Sequence, residues 1–188
     1  MSPFEFISVA LSIVVGLGVT QLLRGAVTVF RARREHPVDA LPVTWAFIVF
    51  LTIIQFWWAL FELDAADLVV EWSLGAFLLL LWLAVLLYLA AALVLPGRPT
   101  DLTAYFDDDG RWALAMLAVY GMSGLVVNAL LFGSGLGDPA QIGIYVTLVL
   151  LAGVIFVKRR GVRIALTVIY LLMMLSALSW AAPTTYSG

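Results

Sequence analysis

Two carboxylates stand where they could do chemistry: Glu5 and Glu62, each at one end of a long run without other charges. An acid at the edge of a membrane span attracts cations or exchanges protons, and polar groups in line behind it extend that capacity inward. Behind Glu5 come Ser8, Ser12, Gly16 and Thr20 at three- and four-residue spacing, which is one face of a helix. A polar and small stripe on an otherwise apolar helix is expected to face protein or water and not lipid. Behind Glu62 lie Gln55 and Thr44, 7 and 18 residues upstream on one helical face, with Trp58 and Thr52 flanking them. Helical rise puts Gln55 about 10 Å deeper than Glu62, near the level of Ser12. Farther along, Gly121, Gly124 and Asn128 share a face of their own. The residues expected to line a pathway or hold a ligand are therefore Glu5, Ser8, Ser12, Gly16, Gln55, Trp58, Glu62, Gly124 and Asn128.

Each has a plainer reading. Glu5 sits at the favourable N-terminal end of a helix dipole, both acids fall at headgroup level, and Trp57 and Trp58 suit an interfacial belt. Glutamine within a span is commonly glue between helices. Gly16 and Gly124 would let backbones approach where helices cross.

Other chemistries lack their residues. With no cysteine, thiolate metal sites, iron–sulfur clusters and thiol catalysis are excluded. His36, the only histidine, stands in a loop segment beside Pro37, so histidine-dependent haem, di-iron and serine-nucleophile sites have no place in a bundle. Lys158, the only lysine, lies at a helix end, which argues against a buried Schiff base. Asp107-Asp108-Asp109-Gly110 has the start of a calcium loop, but its twelfth position is Ala118 and no carboxylate completes the shell, so it reads as a cap. A net charge of −2 gives no footprint for nucleic acid. No enzyme, cofactor or metal is expected.

The elements that must position the candidates follow from composition. Of 188 residues, 64% are hydrophobic and 12% charged, against about half and a quarter in soluble domains. Six charge-free runs, 6–23, 40–61, 72–97, 112–137, 139–157 and 164–188, each come near or exceed the roughly 20 residues that cross a bilayer. The expected fold is all-α, a polytopic membrane bundle of six transmembrane helices: 5–24, 42–61, 74–95, 111–133, 140–157 and 162–180. The first run lacks a basic n-region and is expected to remain in the mature protein. Helix 3, apolar all round, reads as the most lipid-exposed.

All ten bases fall in the segments after helices 1, 3 and 5 or at their edges, whereas the segment 62–71 is acidic. The positive-inside rule then puts both termini outside and the basic loops in the cytoplasm, in an inner (plasma) membrane. Aligning 9–25 with 117–133 pairs Gly16 with Gly124 and Thr20 with Asn128. Those helices would run in opposite directions, which fits a 3+3 inverted repeat with halves 1–96 and 111–182 joined by the cytoplasmic link 97–110. Helices 1, 2 and 4 are expected to form a polar core.

The functional expectation is a small transporter or channel with an acidic, outward-facing vestibule for cations or protons, assembled as a homo-oligomer in the lipid bilayer. The alternative is a non-transporting membrane subunit or sensor that binds a lipid or small apolar ligand. A continuous polar path would favour the first, and a closed outer pocket lined by Trp58 and Tyr145 the second.

Overall fold

A computed structural model describes residues 3–65, 73–131, 135 and 137–181. Among these residues the chain is all-helical: α1 (Pro3–Ala32), α2 (Ala40–Ala65), α3 (Leu74–Leu93), α4 (Leu102–Asp108), α5 (Gly110–Leu131), α6 (Ile142–Phe156) and α7 (Arg160–Ala181), with a 3-10 turn at Pro139–Gln141 leading into α6. The acids Asp67 and Glu71, most of the glycine-rich segment 132–138 and the tail from 182 lie outside the described residues. Five helices, α1, α2, α3, α5 and α7, are long and apolar enough to cross a membrane, and α6 is a shorter apolar helix. Large apolar side chains stand exposed along them, among them Phe6, Val9, Ile13 and Leu17 on α1 and Leu172 and Leu175 on α7. In water such a surface would drive association, whereas lipid accepts it without cost. The chain is built for contact with a bilayer.

The bundle is organised around α3. It packs extensively on α1 along one side and on α5 along another, while α5, α6 and α7 follow one another in space and α2 reaches α1, α3 and α7. Ala84, Leu87 and Ala90 on α3 are fully buried, and Ala91 nearly so. The expectation that this helix is the most lipid-exposed is therefore corrected. A helix apolar all round fits the middle of a bundle as well as its rim, and alanines, like the small residues of membrane interfaces generally, let neighbours approach closely. Where α1 meets α3, a Cβ built on Gly25 would fall 2.7 Å from Leu95 Cβ, so only glycine fits that crossing.

The segments between spans are built more firmly than the sequence suggests. α1 runs two turns past Arg24 to Ala32, and the link after α3 folds into the short helix α4. Asp101 caps α4 by accepting from Ala104 N at 2.9 Å, and Leu102 and Phe106 are buried. The Tyr105 hydroxyl donates to the carbonyl of Leu93 at 2.9 Å, satisfying a carbonyl at the C-terminal end of α3 that the helix itself leaves open. Burial, with the charge of Asp109 added, pushes the Tyr105 hydroxyl above its usual range, so it remains a donor.

Asp39, just before α2, ties three elements of this basic end together. Its carboxylate accepts from Leu41 N at 3.0 Å, from the Thr103 hydroxyl of α4 at 2.9 Å and from Arg160 of α7 at 2.8 Å. Burial raises the acid's pKa, but these three donors outweigh it and hold the carboxyl below the usual carboxylate range. Beside it the buried Arg163 guanidinium pairs with Asp107 and lies 5.5 Å from the Phe106 ring. Of the link's aspartates, Asp101 thus serves as a cap and Asp107 as an ion-pair partner.

Candidate functional site

A cavity of about 420 Å³ lies in the half of the bundle away from the bases. Five helices enclose it: α2 from Thr52 to Leu63, α3 at Leu80 and Leu83, α5 from Leu117 to Asn128, α6 from Gly143 to Leu151 and α7 from Tyr170 to Ala177. α1 contributes nothing to it. Leucine, phenylalanine and methionine side chains dominate the walls, and the polar groups are Thr52, Gln55, Tyr120, Asn128, Thr147 and Tyr170. No ionisable acid or base lines it among the described residues.

Local sequence explains the space. Gly124 and Gly143 present no side chain, and a Cβ built on either meets nothing within 4 Å. At Gly121 the same atom would come within 3.1 Å of Leu148, so this glycine lets α5 and α6 close together beside the gap. The hydroxyls of Thr52 and Thr147 donate back to Ile48 O at 2.9 Å and Ile144 O at 2.8 Å, which leaves those walls with methyl groups and spent donors.

At one end of the cavity stands Asn128, tied to a second amide that does not itself line the space. Asn128 of α5 donates from Nδ2 to Oε1 of Gln141 at 3.1 Å, across the short connection between α5 and α6. Gln141 is only 1% exposed, and its Nε2 has no hydrogen-bond partner. A buried donor without an acceptor is costly, by roughly 1–3 kcal/mol. Among the described residues no group of three His, Cys, Asp or Glu could hold a metal ion.

Toward the basic end the cavity stops. The next turns of its walls, Ile48 and Val49 on α2, Ala84 and Leu87 on α3, Ala113 and Leu114 on α5 and Val154 on α6, are all fully buried. Across this floor the Trp45 ring packs against Tyr170 at 5.2 Å, tilted by 55°, and its Nε1 donates to the Thr167 hydroxyl at 3.0 Å. That hydroxyl donates on to Arg163 O at 2.8 Å, linking the floor to the basic end through a buried chain.

The structure brings together three of the residues singled out from the sequence, Gln55, Gly124 and Asn128, around this one cavity. The α1 stripe lies apart from it. Ser8 donates to Glu5 O at 3.0 Å, Ser12 to Ser8 O and Thr20 to Gly16 O, so the hydroxyls are used within their own helix. Glu5, Gly16 and Thr20 are exposed, and Gly16 has open space where a side chain would stand. Glu62 accepts from Trp58 Nε1 one turn earlier on α2 at 2.8 Å, and Trp58 also stacks on Phe61 at 5.7 Å. Neither Trp58 nor Glu62 lines the cavity, and Tyr145 does not either. The expected polar core of helices 1, 2 and 4 is replaced by a cavity among α2, α3, α5, α6 and α7, because α3 separates α1 from α5. Tyr120 and Tyr170, which line the cavity, and Gln141, which bonds Asn128 from outside the lining, are not among the expected site residues. The sequence clue to Gln141 was a second amide one short connection after Asn128.

No protein-family model matches the chain, and no curated protein or solved structure is significantly similar to it.

Proposed function

We propose that this is a six-span membrane protein whose cavity holds a small neutral apolar ligand or lipid, acting as a non-transporting subunit or sensor and not as an enzyme. The observation that carries the reading is the cavity itself, closed toward the basic end and walled by apolar side chains with a few polar groups among them. Its volume falls within the roughly 300–1,000 Å³ of small-molecule sites, and such sites combine apolar walls with a few converging polar groups. An ion brought into it would meet no counter-charge and would lose several kcal/mol of hydration, so the fitting ligand is neutral. A carbonyl or hydroxyl on that ligand would find its polar partners in Gln55 and Asn128 on the cavity wall. None of the lining side chains ionises near neutral pH, which leaves general acid–base catalysis without a participant.

Several further features support the setting. Counting its 3-10 turn, the α6 segment Pro139–Phe156 rises about 28 Å, close to the roughly 30 Å of hydrocarbon, which supports a sixth crossing. Six crossings leave both termini outside and the bases in the cytoplasm of an inner membrane. For a homo-oligomer, the support is the exposed Gly16–Thr20 face of α1, since small residues favour close helix pairing. The inverted repeat has weaker support: α1 rests mainly on α3, whereas its counterpart α5 rests on α3 and α6.

The transport reading, with Glu5 and Glu62 as outer acidic groups for cations or protons, draws on the cavity reaching only one half of the bundle, as in one state of an alternating-access carrier. It requires the Trp45 floor to open.

The test is solvent extraction and mass spectrometry of the purified protein beside Gly124→Phe, which fills the open space on the α5 wall. The expected result is a neutral compound near one copy per chain, absent from the variant although it melts no lower than the native chain. An empty native protein that carries ion flux in liposomes, altered by Glu5→Gln or Glu62→Gln, would replace this reading with transport.

A further inference from the structure

A second apolar space, about 400 Å³, lies on the other side of the bundle, toward the basic end between α1 and α2. It shares no residue with the five-helix cavity. It exists because α1 leans on α3 and touches α2 only lightly, while Ala26 and Ala46 leave the facing walls short of side chain. Phe30, Phe47 and Phe50 form its sides. Every lining residue is apolar except Arg33, which stands at the end of the space nearest the other bases. Arg33 is held there by its own helix: its Nη1 donates to Phe30 O at 2.7 Å, and the guanidinium lies 3.7 Å from the centre of the Phe30 ring.

Length and charge together select the occupant. On α1 the groove runs from Leu22 to Arg33, a rise of about 16 Å, which matches one leaflet's share of roughly 30 Å of hydrocarbon. A chain of that length with a negative group at the arginine end is a single-leaflet lipid. We infer that the groove between α1 and α2 is a binding site for an anionic phospholipid, one acyl chain lying along Ala26, Phe47 and Phe50 and the phosphate on Arg33. A zwitterionic lipid would leave Arg33 without a net counter-charge. Arg31 and Arg34, adjacent in sequence, add to the field that attracts the headgroup.

The experiment uses the full chain in nanodiscs of equal parts phosphatidylglycerol and phosphatidylcholine with identical acyl chains, followed by native mass spectrometry of the released protein. The native chain should retain one phosphatidylglycerol in preference to phosphatidylcholine. Arg33→Gln should lower that preference about fivefold, the equivalent of roughly 1 kcal/mol per base near an anionic surface. Ala46→Trp, which fills the groove without changing charge, should abolish retention. Arg111→Gln, on α5 and away from the groove, should leave it unchanged. Equal retention of the two lipids, equal losses in Arg33→Gln and Arg111→Gln, or full retention in a folded Ala46→Trp would each overturn the assignment. Displacement of the lipid by soluble glycerol phosphate would assign the site to the headgroup alone and overturn the role of the acyl chain. A change of oligomeric state in Ala46→Trp with no change in lipid would assign the groove to a second copy instead.

Discussion

Asp39→Ala should destabilise the protein by about 2–3 kcal/mol, and the structure gives the parts. Loss of the acceptor for Leu41 N at the start of α2 removes a helix cap, worth about 1 kcal/mol. Loss of the Thr103 hydrogen bond removes roughly another 1 kcal/mol. Arg160 is half exposed, so solvent screens its ion pair and its share stays below about 1 kcal/mol. Asp39→Asn keeps an oxygen for the cap and should cost only about 1 kcal/mol. The assay is equilibrium unfolding in mixed dodecyl maltoside and SDS micelles, followed by tryptophan fluorescence. The pH dependence has a definite sign. Because the folded carboxyl titrates below the unfolded value of about 3.9, its contribution is complete above that pH and is lost as pH falls through the folded pKa. Acid should therefore weaken the native chain more than Asp39→Asn in that window. An Asp39→Ala stability within about 0.5 kcal/mol of native, the scatter of ordinary surface changes, would refute the reasoning.

Two further substitutions separate packing from sequence pattern. Gly25→Ala should cost about 1–3 kcal/mol, since its Cβ collides with buried Leu95, whereas Gly16→Ala should be neutral or gain up to about 1 kcal/mol from helix propensity in open space; the same micelle titration reads both. Trp45→Phe removes the hydrogen bond to Thr167 and should cost about 1–2 kcal/mol, while Trp45→Ala also empties a fully buried site and should cost about 3–5 kcal/mol. In liposomes, Trp45→Ala is the variant in which the floor is expected to leak small solutes, and a native chain that leaks as fast would contradict a closed floor.

The helical class and nearly all of the helix positions were legible because hydrophobic length and charge placement report directly on the solvent around each segment. Which faces meet was not. The α1 stripe has the spacing of an interface, but serine and threonine in helices can satisfy themselves on the carbonyl three or four residues back, and Ser8, Ser12 and Thr20 do so. Their pattern therefore carries no information about a partner. In α3 the reverse holds: uniform apolarity hid a central helix, because in lipid the inside of a bundle is no more apolar than its outside. Gln55 and Asn128 were legible as deep polar groups, since an amide within a span has no adequate partner on its own helix and needs a neighbour or a ligand. Gln141 was harder to find because it stands in a 3-10 turn at a helix entrance, where a glutamine would ordinarily be solvated. Glu5 and Glu62 drew attention as acids at the ends of charge-free spans, yet among the described residues the cavity lining carries no charge.

Whether the cavity takes a neutral apolar ligand can be read by photolabelling the protein in nanodiscs with a diazirine-bearing fatty alcohol and mapping the adducts by peptide mass spectrometry. An occupied cavity gives saturable labelling on its walls between Gly121 and Asn128 of α5 and between Gly143 and Leu151 of α6, lost in Gly124→Phe. Labelling that never saturates, falls on outward residues such as Val9, Ile13 and Leu17, and is unchanged by Gly124→Phe would contradict it.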